Sequence, residues 1–328
     1  MKVCVYFKPN KKKDNFEGAR LRENIKGALK ENSIEVTTNI KDDYDLIHFI
    51  SNNDLSKIKE AKRRNIPVVV SALSCESDDG AKFLEGKSGL YSLSPKGKNA
   101  LNSVDVVIVG DNASKELLSQ LNVKTNIEVI SPGVDLSRFE LDEENKNIFY
   151  QYFQVDKRKK IACVIGTYED KTTPLTLAEI AINCPNYVFF YFGDSNTLRI
   201  IHQNNKMPSN VRLCQITNNE IYCSMMDNAS IYLSLDNKNH SPVTILDAIA
   251  SKTQIVALEP TYLNKEILEN AHAYVGKETK EVASILCSLE KKELKDTTSE
   301  AYKYAQKCSL KNIGQQLSLI YQNILNRR

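Results

Sequence analysis

The stretch at residues 241–260, SPVTILDAIASKTQIVALEP, constrains the fold more than any other. Pro242 suits the first turn of a helix, where its missing N–H would be unpaired anyway, and Ser241 beside it can cap that turn. Ile245, Leu246 and Ile249 recur at helical spacing, Ala248 and Ala250 allow close packing, and Ile255, Val256 and Ala257 follow as a short buried strand. A helix joined tightly to a strand with no polar alternation is a unit of a parallel sheet, whose strands are covered on both faces. The plain reading of its helix is a core element. The unit also brings a helix N-terminus, which attracts anions, close to the sheet edge where α/β folds bind nucleotides.

The same alternation runs through the chain twice. Residues 3–7 read as a strand and Phe16–Glu31 as a helix with Leu21, Ile25, Ala28 and Leu29 on one face. DLIHFI at 45–50, PVVVSAL at 67–73, SVDVVIVG at 103–110 and residues 127–130 are further strands, with helices at 55–64 and 111–121. SPGVDLSRF at 131–139 closes this half, and residues 140–155 form a mostly polar helical connection. Alternation restarts at KIACVIG, 160–166. Strands at Tyr187–Phe192, 211–216, 231–235 and Gln254–Leu258 alternate with helices near 174–182, 218–226 and 242–251. Residues 299–325 form one long amphipathic pattern in which Ile313, Leu317, Ile320, Tyr321 and Ile324 share a face.

A chain of 328 residues is long enough for two such domains, each with its own core. A net charge of +3 with 26% charged residues is ordinary for a soluble protein and points neither to nucleic acid nor to disorder. No apolar run approaches the roughly 20 residues that span a bilayer, so the chain is expected in the cytoplasm. Among eight cysteines no two fall at C-x-x-C spacing, so buried free thiols are expected rather than bridges or a zinc site, and no metal site is expected. His48, mid-strand among apolar residues, reads first as a hydrogen-bonded core histidine. Gly18 and Arg20, near a helix start, are the residue types that let backbone approach an anion and pair with it, although a solvated loop explains them equally.

SVDVVIVGDNASKELL followed by IEVISPGVDLSRF, together with the 241–260 unit, resembles glycosyltransferase family 4. DDYDLIHF and the segment after residues 67–71 are most similar to the diacylglycerol glucosyltransferases of low-GC Gram-positive bacteria. The resemblance implies an α/β protein of GT-B type, in which two doubly wound, Rossmann-like parallel-sheet domains face each other across a cleft. The acceptor domain would span 1–145 and the nucleotide-sugar domain 146–298, with a C-terminal crossing helix at 299–328. It also implies retaining transfer of a hexose from a nucleotide diphosphate sugar, with UDP-glucose a candidate donor, to a lipid or glycan acceptor, without a metal or other cofactor.

Carried over residue by residue, the family's hallmarks are altered. Its diphosphate-binding Arg and Lys fall on Thr167 and Thr172, leaving Lys171 as the nearby cation, and its first acidic residue falls on Asn239. Its Gly-rich turn becomes His240, Ser241 and Pro242, and its second acidic residue is Asp247, able to accept from ribose hydroxyls. Its first-domain histidine maps to Ser71 or Leu73, and Pro132 stands in the place of an asparagine. Two hypotheses follow. In an active enzyme Lys171 and Asp247 are the catalytic candidates. Gly166, Thr167, Lys171, Asn239, His240, Ser241 and Asp247 would then bind the donor, with Gly18, Arg20, His48 and Ser71 on the acceptor side. In a catalytically silent paralogue the fold is kept without its chemistry, and the chain partners or regulates another glycosyltransferase.

Residues 1–64 carry 15 Lys and Arg against 10 Asp and Glu, concentrated at Lys11–Lys13 and at Lys57, Lys59, Lys62, Arg63 and Arg64. Solvated helix faces account for such clusters in the ordinary case. The alternative is peripheral attachment to an anionic membrane, the inner face of the plasma membrane, at about 1 kcal/mol per basic residue.

Overall fold

The structure, a computed structural model, describes residues 1–8, 16–51, 54–73, 81–83, 91–166, 172–193, 195, 198–199, 201, 207–215, 218–235, 242–259 and 264–327. Its strands in chain order are β1 (Lys2–Tyr6), β2 (Glu35–Thr37), β3 (Leu46–Phe49), β4 (Val68–Ser71), β5 (Ala81–Phe83), β6 (Tyr91–Leu93), β7 (Val106–Val109) and β8 (Ile127–Val129), then β9 (Lys160–Ile165), β10 (Tyr187–Phe192), β11 (Val211–Cys214), β12 (Ile231–Ser234), β13 (Gln254–Leu258) and β14 (Tyr274–Gly276).

Two six-stranded, wholly parallel sheets result. The first runs β2-β1-β3-β4-β7-β8 and the second β11-β10-β9-β12-β13-β14, while β5 and β6 pair as a separate antiparallel hairpin. Residues in β3, β4 and β7 are buried without exception, as strands covered on both faces must be. The two-domain α/β architecture is the one expected from the sequence. The order reverses between β1 and β3 in the first sheet and between β9 and β12 in the second, and it is outside the carboxyl ends of strands at such points that open α/β sheets bind ligands. Those ends face each other. A Cβ added at Gly110, just past β7, would meet both Pro132 and Pro242 at 3.7 and 3.8 Å, and Pro242 opens the helix Val243–Ala250 of the second domain.

That helix is buried on every side, all eight of its residues included, because it lies between its own sheet, the helix Thr298–Lys307 and the first helix, Phe16–Glu31. Its N-cap position is Pro242 rather than Ser241, one residue later than the sequence suggests, and Ser241 lies outside the described residues.

The single amphipathic pattern at 299–325 is in fact two helices, Thr298–Lys307 and Leu310–Asn326. The break has a physical reason, since the two halves serve different cores. Ala301 and Ala305 pack into the second-domain cluster with Ile249. Leu310, Ile313, Leu317, Tyr321 and Ile324 pack into the first-domain cluster with Leu21, Ile25 and Leu29. At the crossing the Val134 N–H donates to the Cys308 carbonyl at 2.9 Å, and Val134 bridges Ser309. Beyond it the terminal helix approaches the first helix so closely that a side chain at Gly314 would overlap the Ala28 carbonyl. The connection at 140–155 likewise forms the helix Glu143–Phe153, whose Phe149 is buried against Phe190 with ring centroids 4.9 Å apart.

Candidate functional site

Between the facing sheet ends lies a cleft lined on the first-domain side by Leu21, Leu73, Ile108 and Ile130, with Asp111, Ser114 and Ser131 as polar points. Pro242 and Asn264 close it from the second domain. Asp111 caps the helix Asn112–Gln120, accepting from the Ser114 N–H at 2.6 Å, and one residue on Asn112 donates to Glu266 of the second domain from its backbone at 2.9 Å and its amide at 3.1 Å.

An ion pair also joins the domains. Arg20, one turn into the first helix, donates from Nη2 to both carboxylate oxygens of Asp247 at 2.9 Å. Asp247 has no exposure, and the Arg20 side chain retains 13%. The Tyr222 hydroxyl donates to Asp247 Oδ2 at 2.9 Å, and Arg138 Nη1 stands 3.8 Å from Oδ1. Burial raises the Asp247 carboxyl above the ordinary range, opposed by the Arg20 guanidinium and the Tyr222 hydrogen bond. The carboxylate thus accepts at both oxygens, once at Oδ1 and twice at Oδ2. On the cations, Arg20 Nε and Arg138 Nη1 are buried with no hydrogen-bond partner.

A second polar centre stands in the first-domain wall of the same cleft, which His48 and Ser71 help to line. His48 Nδ1 is 2.7 Å from the Tyr321 hydroxyl and His48 Nε2 is 2.8 Å from Ser71 Oγ. One ring nitrogen of a neutral imidazole donates and the other accepts, and either hydroxyl can take the matching role. The ring is fully buried, and burial pushes its pKa down to about 3. The centre ties β3, β4 and the terminal helix together.

The sequence-derived candidates therefore separate. Arg20, expected on the acceptor side, and Asp247, expected at the donor, meet directly. His48 and Ser71 also meet, but each other's polar atoms and Tyr321 occupy them, so His48 has no free ring nitrogen for an acceptor. Gly18 serves a close helix–strand approach, since a Cβ there would overlap the Phe7 ring, and a Cβ at Gly166 would overlap the Tyr191 ring. Thr167, Lys171, Asn239, His240 and Ser241 lie outside the described residues. Arg138 and Tyr222 were not singled out from the sequence. A tyrosine amid the buried residues of the helix Asn219–Asn228 was the one available signal for the latter.

The seven cysteines among the described residues are free, and burial holds Cys4, Cys163 and Cys223 near 12, unreactive. Among the described residues no helix is long and apolar enough to cross a membrane. The basic helix Leu55–Arg63 runs from the cleft end of the first sheet to the opposite end, where Lys62 pairs with Asp105 at 3.1 Å, just before β7 begins. Its cluster therefore does not lie wholly beside the cleft.

Residues 8–138 match the sequence profile of Glycosyltransferase Family 4. The chain is 24% identical over 330 residues to the processive diacylglycerol alpha-glucosyltransferase of Acholeplasma laidlawii, covering 99% of both chains. Among solved structures it shares its fold with Anabaena HepE in complex with UDP-glucose, at a TM-score of 0.75 and 15% identity over 98% of this chain and 100% of that one. Sucrose-phosphate synthase from Thermosynechococcus elongatus gives 0.75 at 12% identity, with full coverage of both. By this architecture the chain has the GT-B fold, and over residues 8–138 it is similar to glycosyltransferase family 4.

Proposed function

We propose that this chain transfers a hexose from a nucleotide diphosphate sugar, UDP-glucose the first candidate, to a lipid acceptor of the diacylglycerol class with retention of anomeric configuration. The observation that carries this reading is the likeness to a diacylglycerol glucosyltransferase along the whole chain, acceptor domain included. The cleft is compatible with it, since Asp111, Ser114 and Ser131 are polar points that an acceptor hydroxyl could meet. The donor would lie against the second sheet at the β9/β12 reversal, where Gly166 follows β9 and Asp247 lies on the helix after β12. Transfer leaves growing negative charge on the diphosphate, which fixed cations stabilise.

The test is incubation with radiolabelled UDP-glucose and dioleoylglycerol in phosphatidylglycerol vesicles. An alkali-labile glycolipid with an α-linked glucose is the expected product. Absence of product with UDP-glucose, UDP-galactose and UDP-N-acetylglucosamine alike would sink the enzymatic reading. The same vesicles test peripheral attachment. Co-sedimentation at low salt should weaken at physiological salt and when Lys57, Lys59, Arg63 and Arg64 become glutamine, and binding indifferent to both would remove the membrane.

One observation favours a second reading, a silent paralogue that binds an active glycosyltransferase. Asp247, the carboxylate expected to hold ribose, is wholly buried and occupied by Arg20 and Tyr222. A folded protein that neither binds nor turns over any nucleotide sugar would support it.

A further inference from the structure

The His48 and Asp247 centres are built differently, and the one at the domain seam is electrically incomplete. Two guanidinium groups, Arg20 and Arg138, converge on the single carboxylate of Asp247. The next carboxylate within electrostatic reach, Asp135, has its Oδ1 committed to the backbone N–H and hydroxyl of Ser137. Arg20 also engages Asp247 through one nitrogen alone. The strong mode of an arginine is a fork of two parallel N–H bonds, which matches a carboxylate or a phosphate. Here Nε, which with Nη2 makes the side fork of the guanidinium, is buried without a partner, as is Nη1 of Arg138. A buried N–H left unmade costs free energy and persists where something else is to be bound.

The location gives that spare capacity a purpose. Arg20 lies on the helix that follows β1, at the reversal point of the first sheet, and Asp247 on the helix that follows β12, at the reversal point of the second. The pair therefore sits where the two ligand-binding edges face each other. We propose that Arg20, assisted by Arg138, is the diphosphate-binding cation of this protein, with Asp247 as its exchangeable partner. A diphosphate presents several anionic oxygens at phosphate geometry and can fill the forks that one carboxylate leaves open. Its arrival draws Arg20 off Asp247, which keeps the Tyr222 hydrogen bond and gains free lone pairs for a sugar hydroxyl. One exchange thus couples the anionic and hydroxyl ends of a nucleotide. Arg20 is a binding residue here, not a proton donor. The inference rests on the nucleotide-sugar reading above and deepens it.

Calorimetry with pyrophosphate, UDP and uridine separates the two. Arg20→Gln should weaken UDP binding about ten- to a hundredfold and leave uridine binding unchanged. Asp247→Asn removes the competing anion and should tighten pyrophosphate binding, which a merely structural Arg20 would not produce. If Arg20→Gln folds poorly, the neutral double variant Arg20→Gln/Asp247→Asn is compared with Asp247→Asn, both checked for folding by circular dichroism, and pyrophosphate affinity should drop in the double variant. Equal pyrophosphate affinity in those two proteins overturns the inference, as does failure of both wild type and Asp247→Asn to bind pyrophosphate or UDP. Arg20-dependent pyrophosphate binding with no contribution from uridine upholds it and ends the nucleotide-sugar reading. UDP binding indifferent to Arg20 does the reverse.

Discussion

His48 and Asp247 are both polar groups without solvent exposure, each between partners from distant parts of the chain, yet they obey different rules. His48 is neutral, and both ring nitrogens are matched by hydroxyls of Tyr321 and Ser71. Nothing is left over, which is the condition for a polar group to stabilise a core. Asp247 faces two guanidinium groups, and two of their N–H donors, on Arg20 Nε and Arg138 Nη1, are buried with no hydrogen-bond partner. The first centre closes an internal joint, holding the terminal helix to the first sheet. The second joins the two domains, and the N–H groups it leaves unpartnered are what set it apart from the first.

The largest effect should come from breaking the charged centre on one side. Arg20→Ala leaves the Asp247 carboxylate buried without its main counter-ion, and removing one partner of a buried pair typically costs about 3–5 kcal/mol. Denaturant unfolding should register that loss, and Asp247→Asn on the same background should recover most of it. A loss below about 1 kcal/mol would mean the seam opens in solution and the pair is solvated.

The neutral centre should yield less. Tyr321→Phe keeps the buried ring and removes one partner of His48, at about 1–3 kcal/mol for a buried group left unsatisfied. Because the hydroxyl joins the terminal helix to β3, amide exchange should quicken in Leu310–Asn326 before it does in the second sheet. Uniform loss of protection across both domains would contradict a local clamp.

Acid should distinguish the centres further. With a pKa of about 3 when folded against 6.5 ordinarily, His48 is neutral in the folded protein and protonates in the unfolded chain as pH falls below 6.5. Unfolding then takes up a proton, so the stability His48 contributes is fully present above 6.5 and is lost as pH falls from there toward 3. The slope is about 1.4 kcal/mol per pH unit within that window. His48→Gln should flatten it, and an unchanged slope would show that carboxylates govern acid unfolding alone.

Which of these features the sequence discloses follows from how local their causes are. Continuous runs such as VVVS and VVIV announce strands buried on both faces, and Asp111 before its helix announces a cap. The edge strands β2 and β14 escape notice because three residues of mixed exposure carry no periodicity. The break at Cys308 and Ser309 is equally silent, since the amphipathic stripe continues across it and only the change of core on either side reveals it. Arg20 and Asp247 are separated by 227 positions. Each is visible alone as a residue suited to a ligand, but their pairing depends on how two domains dock, which no local pattern encodes. His48 shows the converse: a lone histidine in an apolar strand predicts a satisfied core residue, while the identity of Tyr321 as its partner comes only from the fold.

Arg138 offers the smallest and most discriminating effect. Its Nη1 is 3.8 Å from Asp247, too long for a hydrogen bond, and its guanidinium carbon lies 5.6 Å from the Phe139 ring centroid and 5.9 Å from that of Tyr222. Its Nη2 donates to Asn219 Oδ1. Each ring contact is worth about 0.5–1 kcal/mol, so Arg138→Gln, which removes the charge and keeps a donor, should shift unfolding by no more than about 2 kcal/mol. If Arg138 were instead a required counter-ion of Asp247, the loss would approach that of Arg20→Ala, and the two arginines would be equivalent. A small loss shows that Arg20 alone neutralises Asp247 and that the second positive charge at the seam is surplus to folding. Thermal unfolding of Arg138→Gln beside Arg20→Ala in one buffer decides between them, because only unequal losses fit a centre with a cation to spare.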